Sequence, residues 1–377
     1  MINRIISKSI INKLRSGKVI ILYGARQVGK TTLVEKLIED TKDYLYFNAD
    51  NIEDRLQLEQ ESATKFRVLF SDKKLIIIDE AQRVKNIGVN LKIIHDQLQI
   101  PIIATGSSAF ELANNISESL TGRKHEFHLY PLSFEELSKH FGVFEEYKNL
   151  PNRLIYGSYP EVVKHHGQQK EILINLASSY LYKDILEWNK IKKSDKLIKL
   201  LQALAFQIGN QVSYNELSQI VGINKETVEN YIDLLEKSFV IFSLKSFNRN
   251  LRTELKKSKK IYFYDNGIRN ALINNFNQLE LRNDVGALWE NYIISERYKY
   301  NSSHNLFVNC YFWRTKNQQE IDFIEEQDGK LYAYEFKWSA HKKANIPIAF
   351  QKAYPDANIE IIRPDNYFDF LTKEKNH

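Results

Sequence analysis

The chain is poor in cysteine: Cys310 is the only one in 377 residues, and this excludes an intramolecular disulfide framework. No apolar run reaches the length a membrane span needs. The first residues, Met1-Ile2-Asn3-Arg4-Ile5-Ile6-Ser7-Lys8, hold neither the apolar stretch nor the small-residue cleavage site of a secretory leader. Together these absences lead us to expect a cytoplasmic protein without a membrane partner. Acidic residues are in mild deficit, with 47 Asp and Glu against 53 Lys and Arg, for a formal net charge of +6. That balance suits an anionic partner. Heavy use of Ile, Lys, Asn, Tyr and Phe, all encoded by A/T-rich codons, accounts for much of the lysine equally well, so charge alone does not identify nucleic acid. What is present is the composition of a globular protein, 43% hydrophobic and 27% charged, with length enough for two or three cores.

Gly24-Ala25-Arg26-Gln27-Val28-Gly29-Lys30-Thr31-Thr32 contains a complete GxxxxGK[ST] phosphate-binding loop. Val19-Ile20-Ile21-Leu22-Tyr23 before it suits a buried parallel strand, and Leu33, Val34, Leu37 and Ile38 after it recur at helical spacing. Gly24 and Gly29 let the backbone close around phosphate oxygens. The helix N-terminus offers free N–H groups and a partial positive charge. Lys30 is expected to reach the β- and γ-phosphates of ATP, and Thr31 to ligate Mg²⁺. Arg26 contacts nucleotide or substrate, or is simply exposed. Downstream, Leu75-Ile76-Ile77-Ile78 forms an apolar strand that ends in Asp79-Glu80. Ligands of open α/β sheets sit at the carboxyl ends of strands. Asp79 is therefore expected beside the loop, holding Mg²⁺, with Glu80 polarising the attacking water.

Further strands are expected at residues 43–48 and 100–104. The second ends in Thr105-Gly106-Ser107-Ser108, where Thr105, Ser107 or Ser108 touches the γ-phosphate or its water, or the residues form a plain polar turn. Alternating strands and helices imply an α/β fold with a doubly wound parallel sheet. The ATP-binding set is thus residues 24–32 with Asp79 and Ser107.

Pro131 closes this region; Ser133 and Glu136 read as a capping box. Residues 151–188 read as helical. His165-His166 is no metal site, because adjacent histidines do not share a helix face. Ser213 caps a helix through Leu217 and Ile220, Gly222-Ile223-Asn224 turns, and residues 225–237 form a second helix with Val228, Ile232 and Leu235 inward. That is helix-turn-helix spacing. Strands at 240–244 and 261–264 flank Lys245, Arg249, Arg252, Lys256, Lys257, Lys259 and Lys260, with only Glu254 opposing. The pattern reads as a winged helix with a basic wing. It serves either phosphate contact on duplex DNA or packing between domains. Asn224, Lys225, Thr227, Asn230 and Tyr231 form its exposed helix face, with Glu226 and Glu229 against phosphate binding.

In the last third, strands at 311–315, 320–324 and 331–338 surround an Asp328-Gly329 hairpin turn. Period two puts Tyr332, Tyr334, Phe336 and Trp338 on one face, and Ala333, Glu335 and Lys337 on the other.

Residues 24–31, 76–80, 105–108 and 117–123 resemble the AAA-type branch of P-loop ATPases. With residues 157–162 and 182–185, the resemblance extends over almost the whole chain, to a prokaryotic group with a winged helix and a C-terminal nuclease-like domain. It implies a P-loop core over residues 1–140, a helical connector over 141–200, a winged helix over 201–265 and an α/β restriction-endonuclease-like domain over 266–377. It implies that Arg123 senses nucleotide or acts in trans on a neighbour's γ-phosphate in a homo-oligomer; the other reading is an ordinary surface arginine. Asp322 with Glu335-Phe336-Lys337 resembles the PD-(D/E)xK nuclease core. This implies that Glu290, Asp322 and Glu335 hold divalent metal and that Lys337 orients water, while a solvated ion pair on a strand face is the simpler reading. The function implied is Mg²⁺-dependent ATP hydrolysis coupled to a module that binds, and cleaves, double-stranded DNA. The alternative is an ATP-driven switch that binds a protein partner through an inactive nuclease-like domain.

Overall fold

Five short strands build the first sheet: β1 (Val19–Tyr23), β2 (Tyr44–Asn48), β3 (Leu75–Asp79), β4 (Ile102–Gly106) and β5 (Lys124–His128). Their order is β2-β3-β4-β1-β5, and every pair is parallel. A parallel sheet is covered on both faces, so its inner strands read as unbroken apolar runs. β1, β3 and β4 are buried at every position, whereas the edge strands β2 and β5 are buried only in part. The computed structural model describes residues 1–39, 41–107, 119–178, 194–247, 259–339 and 346–373. Ser108, Ser117, Glu118, residues 182–185 and Trp188, and Arg249, Arg252, Glu254, Lys256 and Lys257 lie outside the described residues. The chain divides into two compact units, residues 1–130 with 237–239, and residues 131–236 with 240–377. No helix among the described residues is long and apolar enough to cross a membrane.

In the first unit the loops after β1, β3 and β4, three adjacent strands, all open at the carboxyl edge of the sheet. In the second unit, Ser133 and Glu136 form the expected capping box on the helix Phe134–Phe141. The helices Tyr214–Val221 and Lys225–Lys237 follow, the first with Ser213 accepting from the Glu216 N–H, the second burying Val228, Ile232 and Leu235.

The second sheet contains β6 (Gln211–Val212), β7 (Ile241–Ser246), β8 (Lys259–Phe263), β9 (Asn309–Arg314), β10 (Glu320–Gln327), β11 (Lys330–Phe336) and β12 (Asn358–Ile362). Its order is β12-β11-β10-β9-β7-β8-β6. β7 runs parallel to β9, with Lys245 opposite Tyr311 and Ser246 opposite Phe312. The hairpin read as a wing is therefore continuous with the C-terminal strands, and residue 265 falls inside one unit. Asp328 and Gly329 both take positive φ, 51° and 77°, as a two-residue hairpin turn requires. The β9–β10 register shifts between Ile321 and Ile324. This bulge breaks strict alternation and lets both isoleucines enter one core with Phe247, Trp313, Ala333 and Phe350.

Candidate functional site

β1 delivers Gly24 to the carboxyl edge of its sheet. A Cβ there would stand 2.3 Å from the Leu129 carbonyl oxygen, so backbone crowding demands glycine. Gly29, at φ 95°, caps the helix Lys30–Leu37 in a left-handed conformation. Lys30 is 5% exposed; its Nζ donates to the Gly24 carbonyl at 2.9 Å and to the Ala25 carbonyl at 3.1 Å, and stands 4.0 Å from Glu80 Oε1. Ala25 and Val28 are buried, Arg26 is half-buried, and Gln27, Thr31 and Thr32 are exposed.

Asp79 ends β3 beside the loop. Its Oδ2 accepts from the Thr31 hydroxyl and from the Tyr46 hydroxyl, each at 2.8 Å, and its Oδ1 accepts from Thr105. Burial, followed by the Asp79 hydrogen bond and charge, pushes the Tyr46 phenol well above its usual range, so it remains a donor. Thr31 and Asp79 thus bring hard oxygens together beside the loop, a donor set that suits Mg²⁺.

Glu80 holds a left-handed backbone, φ 51° and ψ 41°, at a non-glycine position. Such strain costs on the order of 1 kcal/mol and persists only where surroundings enforce it. The Glu80 N–H donates to Asp79 Oδ1 at 3.2 Å and to Thr105 Oγ1 at 3.3 Å, which holds that backbone, while Gln82 fixes the side chain: its Nε2 donates to Glu80 Oε2 at 2.5 Å and to Ser107 Oγ at 3.1 Å. One buried amide therefore ties the acid after β3 to the serine after β4. Gln82 and Tyr46 were not singled out in the sequence. The only local signals were proximity to the acidic pair and a polar hydroxyl on a strand.

Arg123 does not join this group. It directly precedes β5, and its carbonyl accepts from the Val19 N–H at 2.9 Å, at the amino end of β1. The phosphate loop leaves the opposite end of β1, a strand's length away at about 3.3 Å per residue. The Arg123 guanidinium instead pairs with Asp96 at 2.8 Å. Nucleotide sensing by Arg123 within its own chain is corrected accordingly, because parallel strands place it on the wrong edge.

In the second unit Asp322, Glu335 and Lys337 meet. Asp322 Oδ2 accepts from the Phe336 N–H at 2.9 Å. Lys337 Nζ stands 2.7 Å from Glu335 Oε2 and 3.6 Å from Asp322 Oδ2. Glu335 is 5% exposed, and its Oε1 has no hydrogen-bond partner. Burial and then the Asp322 charge raise the Glu335 carboxyl to about 7 against the pull of Lys337.

Glu290, on the helix Val285–Ser303, lies close enough to feel the Asp322 charge but is already paired: its Oε1 accepts from Lys260 Nζ at 3.1 Å and from the Tyr262 hydroxyl at 2.6 Å. Lys260 also pairs with Glu320, whose other oxygen takes Arg314 at 3.1 Å. Two expectations are corrected here. Lys260 belongs to no DNA-facing surface, because β8 turns it inward and leaves it 1% exposed. The metal set of Glu290, Asp322 and Glu335 is not assembled, because lysines stand against its carboxylates. Among the described residues no three His, Cys, Asp or Glu groups are placed to hold a metal ion.

Residues 16–138 match the family described as AAA domain. Residues 147–279 and 285–369 match two families described as domains of unknown function, DUF8612 and DUF4143. An uncharacterized protein of Methanocaldococcus jannaschii is 25% identical, across 95% of this chain and 83% of its own length. An uncharacterized protein of Mycobacterium tuberculosis is 26% identical, across 86% of this chain and 71% of its own. Among solved structures, a Walker-type ATPase of Pyrococcus abyssi superposes with a TM-score of 0.51 at 16% identity, over 72% of this chain and 96% of that one. At that identity the likeness speaks for the fold alone. The phosphate-binding loop and the Asp79-Glu80 strand end both lie within the segment that matches the AAA domain.

Proposed function

We propose that the chain is a Mg²⁺-dependent ATPase whose nucleotide cycle drives a C-terminal module that binds duplex DNA. The observation that carries the ATPase reading is the convergence of Lys30, Thr31, Asp79, Glu80 and Ser107 at the carboxyl ends of β1, β3 and β4. Lys30 neutralises the β- and γ-phosphates, and Glu80 orients the attacking water. Thr31 and Asp79 would hold Mg²⁺, which screens charge on the phosphates when bound. Steady-state ATP turnover tests this. Lys30→Ala loses nucleotide binding. Glu80→Gln keeps binding and slows hydrolysis at least tenfold, on the order expected of a water-positioning group. Turnover that survives both changes sinks the reading.

The DNA reading rests on the exposed Asn224, Lys225 and Asn230 of the second helix together with Lys245. Its mark is affinity for duplex DNA that falls with salt and weakens in Lys225→Glu. Arg123, on the amino edge of the sheet, acts in this reading only on a neighbour, within a homo-oligomer. A second reading, a switch that binds a protein partner and cleaves nothing, is favoured by the burial of Lys260 against Glu290.

A further inference from the structure

We propose that Lys260 is a built-in cation that takes the place of a divalent metal among the carboxylates of the second sheet, so that this cluster excludes the ion. Period two along β8 puts Lys260 and Tyr262 on one face, and both reach Glu290 Oε1. The same ammonium pairs with Glu320 and lies 5.5 Å from the Phe312 ring centroid. Its side chain is 2% exposed, so its charge is met by these carboxylates rather than by water. Burial works against the charge on Lys260, but Glu290 and Glu320 outweigh it and keep the ammonium protonated.

Four carboxylates, Glu290, Glu320, Asp322 and Glu335, thus meet three cations of the chain itself, Lys260, Arg314 and Lys337. A divalent ion needs several carboxylate or carbonyl oxygens free at once, and Mg²⁺ gives up its water reluctantly. To enter between Glu290 and Asp322 it would have to strand a buried ammonium without a counter-charge, which proteins tolerate poorly. Lys260 stays, and the divalent ion is kept out. The inference does not depend on the ATPase reading.

The test is Mn²⁺ uptake by the full chain without nucleotide, read from the loss of the free-Mn²⁺ paramagnetic resonance signal. Wild type and Asp322→Asn are expected to take up the same amount. Lys260→Met is expected to gain one Mn²⁺ per chain, and Lys260→Met with Asp322→Asn to lose it again. A thermal melt shows whether each variant is folded, and Lys260→Gln replaces Lys260→Met if the latter is not. Wild-type uptake that falls in Asp322→Asn or Glu290→Gln overturns the proposal, as does a folded Lys260 variant that gains no ion. The wild-type comparison decides alone if neither Lys260 variant folds. Because the signal is read by its dependence on Asp322, a failure here leaves the Lys30 and Glu80 results untouched.

Discussion

Gln82 is the residue whose part in the proposed nucleotide site depends most on the fold. Its Nε2 serves two acceptors, Glu80 and Ser107, at 2.5 and 3.1 Å. Without it Glu80 loses the donor that fixes its carboxylate, although the groups proposed to grip phosphate remain. Gln82→Ala should therefore lower kcat for ATP by about 10- to 100-fold, on the scale of a lost positioning contact to a water-orienting group, and leave KM within about threefold. Initial-rate measurements over a range of ATP concentrations check this split, and an equal rise in KM would assign Gln82 to binding instead. The loop and the Asp79-Glu80 pair were legible because each is a local pattern with a chemical reason for its spacing. Gln82 with Ser107 and Tyr46 with Asp79 are 25 and 33 residues apart, joined only once the parallel sheet forms.

At the scale of elements, the helix Val285–Ser303 carries Glu290, and its start is pinned by charge. Asp284 pairs with Arg269 at 2.6 Å and with Arg282 at 2.8 Å, and both arginine side chains are nearly fully buried. Burial alone would raise the Asp284 carboxyl, but hydrogen bonds from Arg282 and Arg269 outweigh it and hold the group at about 2. An acid depressed in the folded state contributes stability that is full above its unfolded value, near 4, and lost as pH falls through its folded value. The loss falls between about pH 4 and pH 2, and amounts to about 2 kcal/mol. Asp284→Asn should cost about 2 kcal/mol at pH 7 by leaving two buried guanidinium groups short of charge. Chemical denaturation across this pH range should show the two proteins converging below about pH 2. A constant gap down to that pH would place the cost elsewhere. Such a cluster escapes a reading of periodicity, which finds the helix but says nothing of what anchors its first turn.

For the molecule as a whole, the second sheet decides how the chain divides. Sequence spacing set out two helices and a strand pair over residues 213–264 with Lys260 among outward-facing basic residues, and the structure has the helices and the pair but turns Lys260 inward. Lysine carries no mark of the side it will face, and Lys260 is buried because its counter-charges, Glu290 and Glu320, arrive 30 and 60 residues later. The Asn291 side chain likewise accepts from the Phe263 N–H at 2.8 Å and donates to its carbonyl at 3.0 Å. A fragment of residues 201–265 would expose the β7 edge that pairs with β9 and strand Lys260 without a partner. We therefore expect that fragment to show no cooperative thermal transition by circular dichroism, whereas residues 131–377 melt in one. The physical reason is that an unpaired buried charge and a severed ladder together cost more than the few kcal/mol a segment of that size has to spare. A cooperative transition in the short fragment would show that the helices and hairpin stand as a module of their own, with Lys260 held by contacts within it.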